Sequence, residues 1–175
     1  MAASRPQGLV LKHDRDLEGR GYQIWVRRAL MLVPVTIVVL ALAGVFGQRP
    51  DTSDASSADA SLSVYAPAHL RGGLLWEARF HIHARADLRD AKLVLGSGWL
   101  EGMSVNTIEP SPSSETSRNG SLELDLGHIP AGGSYLLFLQ FQVLATNVGR
   151  RSADVSLWDG DRRLLQIDRT VTVFP

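Results

Sequence analysis

His81 and His83, one residue apart, form the pattern in this 175-residue chain most suggestive of chemistry. Residues two apart on a strand leave the same face, so both imidazoles would point one way. Copper or zinc could be chelated there if a third ligand converged, and His69 and His128 are the candidates to supply it. The ordinary alternative is a solvated strand face that carries two histidines. The chain has no cysteine, which excludes disulfides, thiolate metal sites and cysteine nucleophiles. Met103, the one methionine beyond the first 47 residues, has no companion to extend a copper site.

Other motifs point away from catalysis. Asp159-Gly160-Asp161 offers two carboxylates where calcium takes six to eight oxygens, and a hairpin turn explains it fully. Neither a G-x-S-x-G elbow nor a phosphate-cradling G-x-x-x-x-G-K-S/T occurs. Gly96-Ser97-Gly98 lacks the spacing of a dinucleotide loop, and Glu77, Asp125 and Asp168 are scattered along outward strand positions. Asn119-Gly120-Ser121 fits a glycosylation sequon but equally serves a turn. No enzyme activity and no cofactor are expected.

A surplus of apolar residues is more informative. The strand running from Tyr135 to Ala145 should be polar outside, yet it carries Leu136, Phe138 and Leu144 beside Gln140 and Gln142. Trp158 has the wrong parity for its strand, and Trp99-Leu100 lies in a glycine-rich loop. Exposed apolar patches mark interaction surfaces. Trp99, Leu136, Phe138 and Trp158, with Arg150 and Arg151 as rim cations, are therefore the candidate partner-binding residues. The competing expectation is that the long Gly96–Gly120 segment folds over this face, or that a bulge shifts the register.

The elements that would position these residues read clearly. Residues 29–47 (ALMLVPVTIVVLALAGVFG) hold no charge, and at 1.5 Å per residue they span roughly 28 Å, a bilayer's hydrocarbon thickness. No polar stripe interrupts them, as one would in a soluble helix of that length. Tyr22 and Trp25 stand where aromatic rings favour the interface. Residues 1–28 form a basic tail with six cations against three acids, whereas twelve basic and fifteen acidic residues follow Gly47. The positive-inside rule then puts the N-terminus in the cytoplasm and the C-terminal part outside, in a single-pass protein of the cell membrane. A cleaved signal peptide, cut after Ala43, is the competing reading, and Val45 stands where a lipoprotein would need cysteine. With zero net charge overall, no nucleic-acid partner is expected.

Residues 48–60 are small, polar or acidic and read as a flexible linker reaching roughly 20 Å. From residue 61 to 175, period-two alternation recurs: Trp76 to Ala84, Leu122 to Leu126, Tyr135 to Ala145, Ala153 to Leu157 and Leu165 to Val173. Leu62–Tyr65, Ala91–Leu95 and Met103–Ile108 are shorter candidates. Asp159-Gly160 and Ile129-Pro130-Ala131-Gly132-Gly133 read as turns. Seven or eight short strands without helical period predict an all-β, immunoglobulin-like antiparallel β-sandwich outside the membrane.

Residues 122–145 (LELDLGHIPAGGSYLLFLQFQVLA) resemble bacterial immunoglobulin-like modules related to cell-adhesion domains, where a strand, an I-P-A-G-x-S-like turn and a long apolar strand recur. Residues 146–175 (TNVGRRSADVSLWDGDRRLLQIDRTVTVFP) are similar to the ends of small actinobacterial membrane-anchored proteins of unknown function. The sixteen arginines against two lysines agree with a high-GC bacterial genome. Neither resemblance brings site residues with it. The expectation is a membrane-anchored, non-enzymatic accessory module that contacts another protein, with a metal-handling domain using His81 and His83 as the alternative.

Overall fold

The computed structural model describes residues 21–45 and 49–175, in two units that divide after Val45. Most of the basic tail, residues 1–20, lies outside the described residues, as do residues 46–48. The first unit is one helix, α1 (Gly21–Leu42). It starts earlier than the apolar run, because nothing between Tyr22 and Arg28 opposes helix formation, and Arg28 comes to lie 5.6 Å over the Trp25 ring. It stops at Leu42, short of the predicted Gly47. Gly44, at φ 69°, closes it: the Gly44 amide donates to Ala41 and that of Val45 to Leu40, the double bond of a Schellman cap. Within the helix the Thr36 hydroxyl donates to the Leu32 carbonyl at 2.7 Å, so the one hydroxyl of the span is satisfied internally. Its length and apolarity suffice to cross a membrane, and its large apolar side chains are exposed among the described residues.

Among the described residues, the second unit is built of thirteen strands. One sheet runs β1 (Pro50–Ser56), β2 (Ala60–Pro67), β4 (Leu75–Ala84), β9 (Ser134–Val143), β6 (Met103–Glu109). The other runs β12 (Arg162–Ile167), β11 (Val155–Asp159), β5 (Leu88–Leu95), β8 (Ser121–Ile129), β7 (Ser114–Arg118). A third, small sheet joins β10 (Gly149–Ser152), β13 (Thr170–Phe174) and β3 (His69–Arg71), the β13–β3 pair being parallel. The two five-stranded sheets are antiparallel throughout and contribute to one continuous core, which defines an immunoglobulin-like β-sandwich.

Alternation explains why these strands bury the faces they do. Trp76, Ala78, Phe80, Ile82 and Ala84 of β4 are buried while Glu77, Arg79 and His81 are exposed. Leu137, Leu139, Phe141 and Val143 of β9 face the same core, as do Leu122, Leu124 and Leu126 of β8. The β11–β12 hairpin turns at Gly160-Asp161, one residue beyond the expected Asp159-Gly160, because Asp159 still pairs with Arg162, and residues 130–133 turn β8 into β9.

Three expectations need correction. The supposed linker of residues 48–60 is in large part β1, paired along its whole length with β2, from Pro50 opposite Pro67 to Ser56 opposite Ser61. Its polar composition suits an edge strand whose side chains stay mostly wet, because a backbone ladder needs no apolar side chain. Amide exchange should show alternating protection along Pro50–Ser56, since an edge strand bonds inward through every second residue; uniformly fast exchange there would restore the linker. Next, the Gly96–Gly120 segment does not fold over β9. It gives β6 to the free edge of β9 and β7 to that of β8, one edge strand to each sheet. Finally, Trp99 is not at the surface. It is 1% exposed, at the end of a 3-10 turn (Ser97–Trp99), and packs with Trp76, Phe80 and Phe141 at centroid distances of 5.5–5.7 Å.

Candidate interaction surface

Register decides which outward residues meet. Across the first sheet, Thr52, Tyr65, Arg79, Phe138 and Glu109 stand in one row, each opposite the next on the neighbouring strand. The Arg79 guanidinium lies 5.5 Å from the Tyr65 ring centroid and 5.7 Å from that of Phe138, a cation between two aromatic faces. Glu77 accepts from Arg79 Nε at 2.7 Å. That hydrogen bond, with the charge of Glu77, raises the guanidinium further above its already high ordinary value. Tyr65 and Leu136 are exposed, and Phe138 is half-buried beneath the arginine. The result is a rigid patch, apolar with a fixed cation at its centre, on strands held from both sides.

The same face carries His81 and His83 one and two rows away. His81 stands between Ser63 and Leu136, and His83 between Ser61 and Ser134, whose hydroxyl lies 3.1 Å from its Nδ1. Asp54, Ser61 and Ser63 line a shallow polar depression with them. Neither His69 nor His128, the candidates for a third ligand, stands beside them. His69 stacks on Phe174 in the small sheet, and His128 Nε2 pairs with Asp87 at 2.7 Å. Among the described residues no three His, Cys, Asp or Glu side chains are grouped to hold a metal ion.

The remaining candidates lie elsewhere. Trp158 sits on the outer face of the second sheet, opposite Lys92 and Arg163, with the Arg163 guanidinium 5.9 Å from its ring. Alternation along β11 is unbroken and sets Trp158 outward; the register shift against β12 falls at Leu164, which no residue of β11 pairs, and the Trp158 indole donates to Ser156 at 2.8 Å. Arg150 is exposed on β10, while Arg151 is mostly covered and lies 3.3 Å from Glu101. So Leu136 and Phe138 belong to one surface, Trp158 to another, Arg150 and Arg151 to the small sheet, and Trp99 to the core. Tyr65 and Arg79 were missed: alternation alone puts Arg79 outward, but only the strand register sets it between two rings.

No protein-family model matches the chain, and no curated protein matches it. Solved structures do. The CARDB domain of PF1109 from Pyrococcus furiosus matches at 12% identity and TM-score 0.44, over 66% of this chain and 94% of that one. CaCohA2 from Clostridium acetobutylicum matches at 13% identity and TM-score 0.42, over 67% and 92%. A non-cellulosomal cohesin from Archaeoglobus fulgidus matches at 12% and 0.39, over 61% and 86%. Likenesses at this level carry no argument about ligand or partner. The class of the β unit, an immunoglobulin-like β-sandwich, rests on its own strand order.

Proposed function

We propose that the chain is a membrane-anchored, non-enzymatic binding module whose β-sandwich stands on the extracytoplasmic side and contacts another protein of the same membrane. The observation that carries this reading is the Tyr65–Arg79–Phe138 row flanked by exposed Leu136. Aromatic residues and arginine are the types enriched where interfaces concentrate their energy. Anchoring through residues 29–47, with the basic tail in the cytoplasm, is supported by the length and uninterrupted apolarity of α1 and by the cations on one flank.

The test is cross-linking in intact cells, detergent extraction of the tagged full-length chain, and mass spectrometry. A stoichiometric membrane protein should be recovered with the wild type and reduced about ten-fold or more by Phe138→Ser or Arg79→Glu, a loss of roughly 1.4 kcal/mol or greater. Both changes are on the outer face, so thermal melts should stay within a few degrees. Trp158→Ser, on the opposite sheet, should leave capture intact. Capture indifferent to all three changes, or lost together with folding, would sink the proposal. The mass of the recovered chain reads the anchor separately, since a signal peptide cut after Ala43 would remove residues 1–43.

A further inference from the structure

The β unit has six exposed large apolar side chains among the described residues, and four of them gather at one end: Leu74 (45% exposed), Leu75, Leu144 and Val148 (each 52%). They come from the entry to β4 and from the β9–β10 loop, and backbone hydrogen bonds lock these together. The Gly73 amide donates to Val143 at 3.0 Å, that of Val143 to Leu74 at 3.1 Å, and that of Leu144 to Gly102 at 3.0 Å. The buried Asn147 side chain then donates to the Glu101 and Gly102 carbonyls at 3.1 and 2.9 Å. The patch is a formed surface with fixed leucines, and burying them here would have needed another layer of protein.

This is also the end at which the chain enters the domain. Pro50, the first residue of β1, is opposite Pro67, and the same end holds the start of β4 at Leu75 and the finish of β9 at Val143. In the sequence, residues 46–49 are all that separates Pro50 from Val45. Charge agrees with position. Arg71 and Arg150 are exposed at the rim of the patch, whereas the acids nearby face cations: Glu101 lies by Arg151, and Asp51 acts on Arg169.

We propose that this apolar end rests on the bilayer, with Leu74, Leu75, Leu144 and Val148 entering the headgroup region and Arg71 and Arg150 meeting lipid phosphates. Shallow insertion of leucines ringed by cations is how peripheral elements hold an interface. The inference rests on the anchor reading of α1. It sets the orientation of the domain, with the Tyr65–Arg79–Phe138 face upright beside the membrane and open to a neighbour embedded in it.

Because the chain has no cysteine, single labels can be placed at will. Full-length Leu144→Cys, Val148→Cys, Val38→Cys and Ala131→Cys would each carry an environment-sensitive fluorophore in vesicles of phosphatidylcholine and phosphatidylglycerol, about 3:1. Ala131 lies in the exposed turn at the far end of the sandwich. A nitroxide borne near the lipid headgroup should quench positions 144 and 148 at least about two-fold while sparing 131, as shallow burial requires. A nitroxide near the acyl terminus should quench position 38. Quenching at 38 with 144 and 148 behaving like 131 overturns the lipid contact while leaving the anchor standing, and would assign the apolar end to a protein. Absence of quenching at 38 overturns both readings.

Discussion

Trp99→Ala is expected to remove about 3–5 kcal/mol from the β-sandwich, most or all of what a domain of this size holds in reserve. The indole is wedged among Trp76, Phe80 and Phe141, and Trp76 itself stacks on Phe141 at 4.7 Å. Alanine would leave a void that three large rings cannot fill by rotation, because Trp76 and Phe80 are fixed on β4 and Phe141 on β9. The hydrogen bond from Trp99 Nε1 to the Asp154 carbonyl, at 3.1 Å, is a minor part of the loss. That carbonyl keeps a second donor, the Gly96 amide at 2.9 Å. Urea unfolding followed by far-UV circular dichroism measures the effect, with Trp158→Ala as comparator. Trp158 is half-buried on an outer face, and its removal should cost about 1 kcal/mol, the worth of a hydrogen bond and an exposed cation–π contact. Equal losses for the two would contradict the placement of Trp99 in the core.

Gly98→Ala should be nearly as damaging, at about 3 kcal/mol or somewhat more, although it adds one methyl group. A β-carbon on Gly98 would lie 1.7 Å from the Ser152 carbonyl oxygen and 2.8 Å from its carbon. The obstruction is backbone at the end of β10, so no side-chain rotation relieves it. Either β10 leaves β13, or the 3-10 turn lifts and draws Trp99 out of its pocket. Gly98→Ala and Trp99→Ala act on one joint, so the double variant should be markedly less destabilised than the sum of the singles, a coupling that a double-mutant cycle reads directly. Independent, additive losses would show that the turn and the ring are not linked. At Gly73, by contrast, nothing lies within 4 Å of an added β-carbon, and its φ of +78° is the one cost of substitution there.

Arg169 shows the same dependence on the third dimension. It is 9% exposed, donates to the Ala66 carbonyl at 2.7 Å and is lowered from its ordinary pKa by burial, with the charge of Asp51 working the other way. In the sequence it is an arginine between two short strands, next to an aspartate, and no local pattern marks it for burial.

Local periodicity is set by the chain itself, and so the strands that bury one face were legible from residue types. β4, β8, β9, β11, β12 and β13 announce themselves because an antiparallel strand at a core must alternate. The apolar helix was legible for a similar reason, as the nineteen consecutive residues 29–47 without charge have few other solutions. β1 and β7 were not legible. Edge strands held by backbone bonds can be made of Ser, Asp, Thr and Glu, and they then look like spacer.

Sites depend on register, which no local pattern contains. Leu136 and Phe138 were visible as misplaced apolar residues, but the partners that make them a surface, Tyr65 and Arg79, lie 73 and 59 positions before Phe138 in the chain and meet it only across β2, β4 and β9. Trp99 has the opposite history: a glycine-rich loop suggested exposure, whereas the glycines permit the close backbone approach that buries it. Sequence determined which segments are apolar, which alternate and which chemistry is missing, because those properties belong to single residues and their near neighbours. Tertiary structure decided which of the apolar residues remain outside and which ones stand together, because burial and juxtaposition are set by strand order and by the packing of one sheet on the other.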